Sequence, residues 1–126
     1  MSSVDVIDET FLVVPPRSLA VIFADPARCA AFWPDLRLTV YADRGDEGLR
    51  WTVAGALVGT MEVWLEAVLD GTLLHYYLRA DGATPLTPRA AAAETRRRQL
   101  AARRLAFALK AELEADREIG VGPAGG

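Results

Sequence analysis

Apolar and polar residues alternate from Val4 to Val14, with Val4, Val6, Asp8, Thr10 and Leu12 on one face and Asp5, Ile7, Glu9, Phe11 and Val13 on the other, which predicts a strand. Its charged first half suggests an edge or a frayed start. Pro15 and Pro16 then stop the ladder, because neither has an N–H to donate, and Pro16 suits the first turn of a helix. Leu19, Ala20, Ile22 and Phe23 follow at helical spacing. Asp25 is placed to cap a second short helix that opens on Pro26 and ends at Phe32, Trp33 and Pro34.

Alternation returns over Leu36–Asp43, where Leu38, Val40 and Ala42 oppose Arg37, Thr39 and Tyr41. The cluster Arg44, Gly45, Asp46, Glu47, Gly48 reads as a hairpin turn. Leu49–Val53 forms the next strand, and Gly55 and Gly59 around Ala56, Leu57 and Val58 predict a bend or bulge. Thr60–Leu69 alternates again, and Asp70 with Gly71 predicts a two-residue turn that returns the chain as Thr72–Ala80. Thr87 caps and Pro88 opens a closing helix that reaches about Glu118. Roughly thirty helical residues run about 45 Å, longer than a domain of this size, so the helix is expected to bend, break or project. Residues 1–119 read as one domain and 120–126 as a loose tail.

The order of these segments resembles the START-like superfamily of polyketide cyclases, dehydrases and lipid-transport proteins. The residues that carry the resemblance are the strand ending in Pro15 and Pro16, the helix pair from Asp25 and Pro26 to Trp33, the hairpin at Gly71, and the last helix with Leu105, Leu109, Lys110 and Leu113. The resemblance implies an α+β helix-grip fold, in which a curved antiparallel sheet of about five strands holds the long helix around an apolar cavity. It also implies a small hydrophobic ligand, lipid or polyketide-like, and cofactor-independent cyclase or dehydratase chemistry as an activity. Members of the family usually have about two more strands, and here only about fifty residues separate Trp33 from Asp81. A shortened sheet encloses a smaller or more open cavity and leaves edges to be blunted or paired, so a homodimer is expected. The alternative is a truncated interaction or dimerisation module with a filled core.

Composition narrows the partners. The 126 residues are 52% hydrophobic and 25% charged, as in ordinary globular chains. The net charge of -3 argues against a nucleic-acid partner, which normally selects a basic domain. No apolar run approaches the roughly 20 residues that span a bilayer, and the acidic start (Asp5, Asp8, Glu9) is unlike a secretory signal; a cytoplasmic location without membrane insertion is expected. Cys29 is the only cysteine, so no intrachain disulfide forms, and its apolar neighbours suggest a buried thiol. Without glycine-rich phosphate loop, paired-histidine motif or nucleophile elbow, neither cofactor nor metal is expected.

Histidine is the residue type suited to proton exchange near neutral pH, and His75 is the only one. It lies mid-strand opposite the Glu62, Trp64, Glu66 face, which offers a carboxylate for an acid–base pair. The plainer reading is a histidine paired with glutamate on the solvent side of the sheet. Register decides: if Leu74, Tyr76 and Leu78 point inward, His75 is outside and not catalytic. Tyr41 and Tyr76 complete the candidate acid–base set. Trp33, Val40, Trp51, Val53, Met61, Val63, Leu65, Leu78 and Phe107 (or Leu105) are the candidate ligand-binding wall, and each also suits a hydrophobic core. In the last helix Arg89, Arg96, Arg97, Arg98, Arg103 and Arg104 precede Glu112, Glu114, Asp116 and Glu118, the reverse of what the helix dipole favours. Something else must hold that arrangement: a solvated face, an antiparallel partner helix, or an anion at the arginines.

Overall fold

The computed structural model describes residues 2–118; the tail expected at 120–126 lies outside them. The elements run β1 (Val4–Leu12), α1 (Pro16–Phe23), α2 (Pro26–Phe32), β2 (Leu36–Asp43), a 3-10 turn (Gly45–Glu47), β3 (Gly48–Gly55), β4 (Leu57–Val68), β5 (Gly71–Gly82) and α3 (Pro88–Glu118). The strands form one antiparallel sheet in the order β1-β5-β4-β3-β2. The α1–α2 pair therefore carries the chain from one edge of the sheet to the other.

Local chemistry places the helices where the sequence suggests. The Asp25 carboxylate accepts from the Ala27 N–H (2.9 Å) and Pro26 opens α2. The Thr87 hydroxyl accepts from the Ala90 N–H (3.1 Å) at the start of α3. Period-two burial then fixes the faces: Leu74 and Leu78 of β5, Met61, Val63 and Leu65 of β4, and Trp51 and Val53 of β3 point inward. The start of β1 is not frayed, since Val4 and Val6 are fully buried.

Two turns differ from expectation. β4 runs unbroken from Leu57 through Gly59, and the sharp reversal is confined to Gly55 and Ala56, where Gly55 has φ of 103°. At the next hairpin the loop is Leu69 and Asp70, and Gly71 already belongs to β5, opposite Val68. Gly71 is needed for proximity instead, because a methyl group there would collide with the Leu12 carbonyl oxygen and the Phe11 ring. Leu69 takes the left-handed turn position at φ of 54° and is almost wholly exposed.

The long helix α3 packs chiefly along β1, with Ala102, Ala106 and Leu109 turned to the core. Small residues there allow close approach. Its reversed charge order is matched in part within the chain, at Arg97, Arg98, Arg103, Glu112 and Glu114. Arg98 is buried and makes a bidentate pair with Asp35 (3.0 and 2.6 Å) as well as a bond to Glu94 (3.0 Å). Arg103 reaches the buried Asp8 carboxylate at 3.0 Å. Arg28 of α2 holds Glu112, and Lys110 holds Glu114.

Candidate functional site

The space beneath the sheet is filled with aromatic side chains. Trp33 lies nearly parallel to Tyr76, with ring centroids 6.0 Å apart and planes 12° apart, and touches Trp51 at the same separation. The Tyr76 hydroxyl reaches the Met61 sulfur at 3.3 Å. Burial pushes the Tyr76 phenol well above its ordinary value, because a phenolate here would have no solvent. Seven expected wall residues, Trp33, Trp51, Val53, Met61, Val63, Leu65 and Leu78, are thus packed into the core.

An apolar opening survives to one side of this core. A cleft of about 210 Å3 lies between α2 and the β2 edge, walled by Phe23, Pro26, Cys29 and Ala30 from the helices and by Leu36, Leu38, Val40 and Trp51 from the sheet. Cys29 and Ala30 are small enough to leave it open. The Cys29 thiol donates to the Phe23 carbonyl (3.2 Å); burial, with help from the Asp25 charge, pushes its pKa up to about 11, so it is a packing group and a poor nucleophile. Of the wall expected from sequence, Val40 and Trp51 line this cleft. The α2 residues were missed because their role depends on the angle at which α2 meets β2. The available signal was the apolar alternation Leu36, Leu38, Val40 facing a helix of small residues.

The remaining candidates lie elsewhere. Leu74, Tyr76 and Leu78 face inward, which puts His75 on the outer face of the sheet, although it is only 5% exposed. Its ring stacks on Trp64 (centroids 4.1 Å, planes 16° apart), its Nε2 lies 2.9 Å from Glu66 and its Nδ1 3.4 Å from Glu9. The cluster ties β4, β5 and β1 together and does not reach the cleft. Tyr41 is also on the outer face, beside a second hollow of about 310 Å3 whose walls include Asp5, Ile7, Glu62, Tyr77 and Arg79. Charges there are matched within the chain: Arg79 to Asp5, and Arg44 and Arg50 to Glu62. Phe107 is half exposed on the outer side of α3, under the Arg103 guanidinium (4.6 Å), and Leu105 takes the core-facing position. His75, Tyr76 and Tyr41 are therefore not gathered around one space. Among the described residues no group of three or more His, Cys, Asp or Glu side chains could hold a metal, and no helix is long and apolar enough to cross a membrane.

A five-stranded antiparallel sheet with two short helices after its first strand and one long helix after its last decides the architecture. The fold is the START-like helix grip. Solved structures agree with it: the Aha1 dimer from Colwellia psychrerythraea, solved in solution, is similar over 85% of this chain and 96% of that chain, with a TM-score of 0.60 at 14% identity. A crystal structure of DR_A0006 from Deinococcus radiodurans is similar over 76% of this chain and 97% of that one, with a TM-score of 0.54 at 14% identity. At such identity the likeness concerns the fold. No family model and no curated protein sequence matches the chain.

Proposed function

We propose that this helix-grip domain binds a small apolar group in the cleft between α2 and β2. The carrying observation is an open cleft of about 210 Å3 lined by apolar side chains, with polar atoms also exposed in its wall, beside a core that its own aromatic residues fill. A cavity of about 150 Å3 lined by aliphatic and aromatic side chains stays dry and admits benzene, so the volume here suits one or two fused rings or a short acyl segment. Binding without turnover is the better supported half of the cyclase or lipid-carrier expectation. Tyr76 is sealed against Met61, and His75 and Tyr41 lie on the opposite face of the sheet.

The test is a titration with naphthalene followed by amide NMR. Shifts are expected at Leu36, Leu38, Val40 and Ala30, and Ala30→Phe, which fills the cleft, is expected to abolish them. Shifts confined to the outer hollow around Tyr41 and Tyr77, or none, would reject the reading. An interaction module is the second reading. It is favoured by the exposure of Val40 and Tyr41 on an edge strand, and the name of the Colwellia neighbour describes a dimer.

A further inference from the structure

Of the side chains that line the cleft between α2 and β2, only those of Cys29 and Trp51 can donate a hydrogen bond. The Cys29 thiol spends its hydrogen on the Phe23 carbonyl (3.2 Å). Trp51 is 2% exposed and packs its ring against Trp33, with centroids 6.0 Å apart and planes at 56°, but its indole N–H has no acceptor among the described residues. The other two tryptophans are provided for. Trp33 bonds to the Tyr76 side chain, and Trp64 is half-buried on the outer face, within reach of solvent. A buried donor left without an acceptor costs the folded state its full desolvation, and folded proteins keep few of them. Trp51 keeps one in the wall of a space large enough for a ring system, so the missing partner is one that enters from outside.

The surroundings also limit what that partner can be. Asp25, whose carboxylate caps α2, adjoins the wall residues Ala24 and Pro26, and its charge joins burial in pushing the Cys29 thiol up to about 11. An anion entering the cleft would meet the same repulsion and lose its hydration among Leu36, Leu38 and Val40. A neutral carbonyl brings an acceptor and has no hydrogen of its own to place.

We propose that the cleft takes an apolar molecule bearing one neutral carbonyl, as in a ketone or an ester, whose oxygen accepts from the Trp51 indole N–H. This ligand class rests on the cleft reading above and adds a polar anchor to it. The single donor turns the carbonyl toward Trp51 and leaves the hydrocarbon body between the α2 and β2 walls, which hold it by burial alone.

Tetralin and 1-tetralone share one skeleton and differ in the carbonyl, so together they separate the hydrogen bond from burial. Each is titrated into the unmodified protein and into Trp51→Phe, which keeps an aromatic ring in place and removes the donor. The unmodified protein is expected to bind both. The ratio of the tetralone affinity to the tetralin affinity is expected to fall by about tenfold in Trp51→Phe, the worth of one hydrogen bond to a buried donor. In the unmodified protein the Trp51 Nε1–H resonance, assigned through its own backbone, should move downfield with 1-tetralone and much less with tetralin; this readout stands even if the variant does not fold. Tetralin-2-carboxylate is expected to bind at least about tenfold more weakly than the ketone. Equal affinity ratios in the two proteins, an indole resonance that moves alike with both ligands, or tightest binding by the carboxylate overturns the carbonyl class. If tetralin still shifts the amides of Leu36, Leu38 and Val40 in that case, the cleft reading stands without it. No shift at those residues with either ligand rejects the cleft itself and the ligand class with it.

Discussion

The two edges of the sheet obey the same backbone chemistry and are finished in opposite ways. Along β1, α3 lays one row of polar side chains over the free edge: Gln99 donates to the Ile7 carbonyl (2.9 Å), Arg103 to Glu9 (3.2 Å) and Lys110 to Phe11 (2.8 Å), and Glu114 accepts from the Val13 N–H (2.8 Å). Fifteen helical residues advance about 22 Å and six strand residues about 20 Å, so helix and strand stay in step for the whole row. Among the described residues β2 has no such cover, and it carries a bulge between Val40 and Ala42. An uncovered edge is a template for another strand, and the difference shows what the long helix does here: it seals one edge and leaves the other, with its apolar cleft, for something else.

The firmest way to break this contrast is to cut the link between α3 and the start of β2. Arg98→Ala strands the carboxylates of Asp35 and Glu94; removing one partner of a buried pair costs about 3–5 kcal/mol, and the lower end applies because Asp35 is partly exposed and screened. Urea unfolding checks it, and a loss below about 1 kcal/mol would show that the pair is not structural. The same link predicts an acid limb. The Arg98 hydrogen bond holds Asp35 below the usual carboxylate range, and at Glu94 burial acts upward but the bonds from Arg97 and Arg98 outweigh it. Because both folded pKa values are depressed, their stabilisation is complete above the ordinary carboxylate range and is lost as pH falls through the folded values. A pH series of melting temperatures should show that loss, flattened in Arg98→Ala.

Gly71→Ala tests the closed side at its tightest point. The added methyl must push β1 from β5, at a cost of about 1–3 kcal/mol, and amide exchange should accelerate along Val4–Leu12 more than along β2. Equal acceleration in both strands would mean that the strain is not local. The smallest effects should separate the edges most cleanly. Lys110→Met removes the ammonium from the Phe11 carbonyl and is expected to cost about 1 kcal/mol, whereas Thr39→Lys on the open edge should stay within about 0.5 kcal/mol. The reverse order in thermal unfolding would contradict the assignment of covered and uncovered edges.

Much of the fold was legible because its signals are local. The Asp25 and Thr87 caps, the prolines at helix starts and the alternation of β1, β4 and β5 each depend on a few neighbouring residues. The candidate site was less legible. His75 was read with both faces open, since a shift of one residue in register exchanges the faces of a strand, and nothing local to β5 fixes its pairing with β1 and β4. Leu69 was passed over for Gly71 as a turn residue because glycine signals both positive φ and close packing, and only the position of the Leu12 carbonyl separates the two.

By itself the sequence determined the order and type of the elements, their caps and the apolar set that would form a core, because hydrogen-bonding capacity and side-chain period act over a few residues. The tertiary structure alone decided which edge α3 would cover, which carboxylates would pair with Arg98 and Arg103, and that the wall expected for a cavity would close on itself at Trp33, Trp51 and Tyr76. Those outcomes depend on distances between residues as far apart in the chain as Asp35 and Arg98 or Asp8 and Arg103, and such distances are set only when the sheet, the helix pair and the long helix pack together.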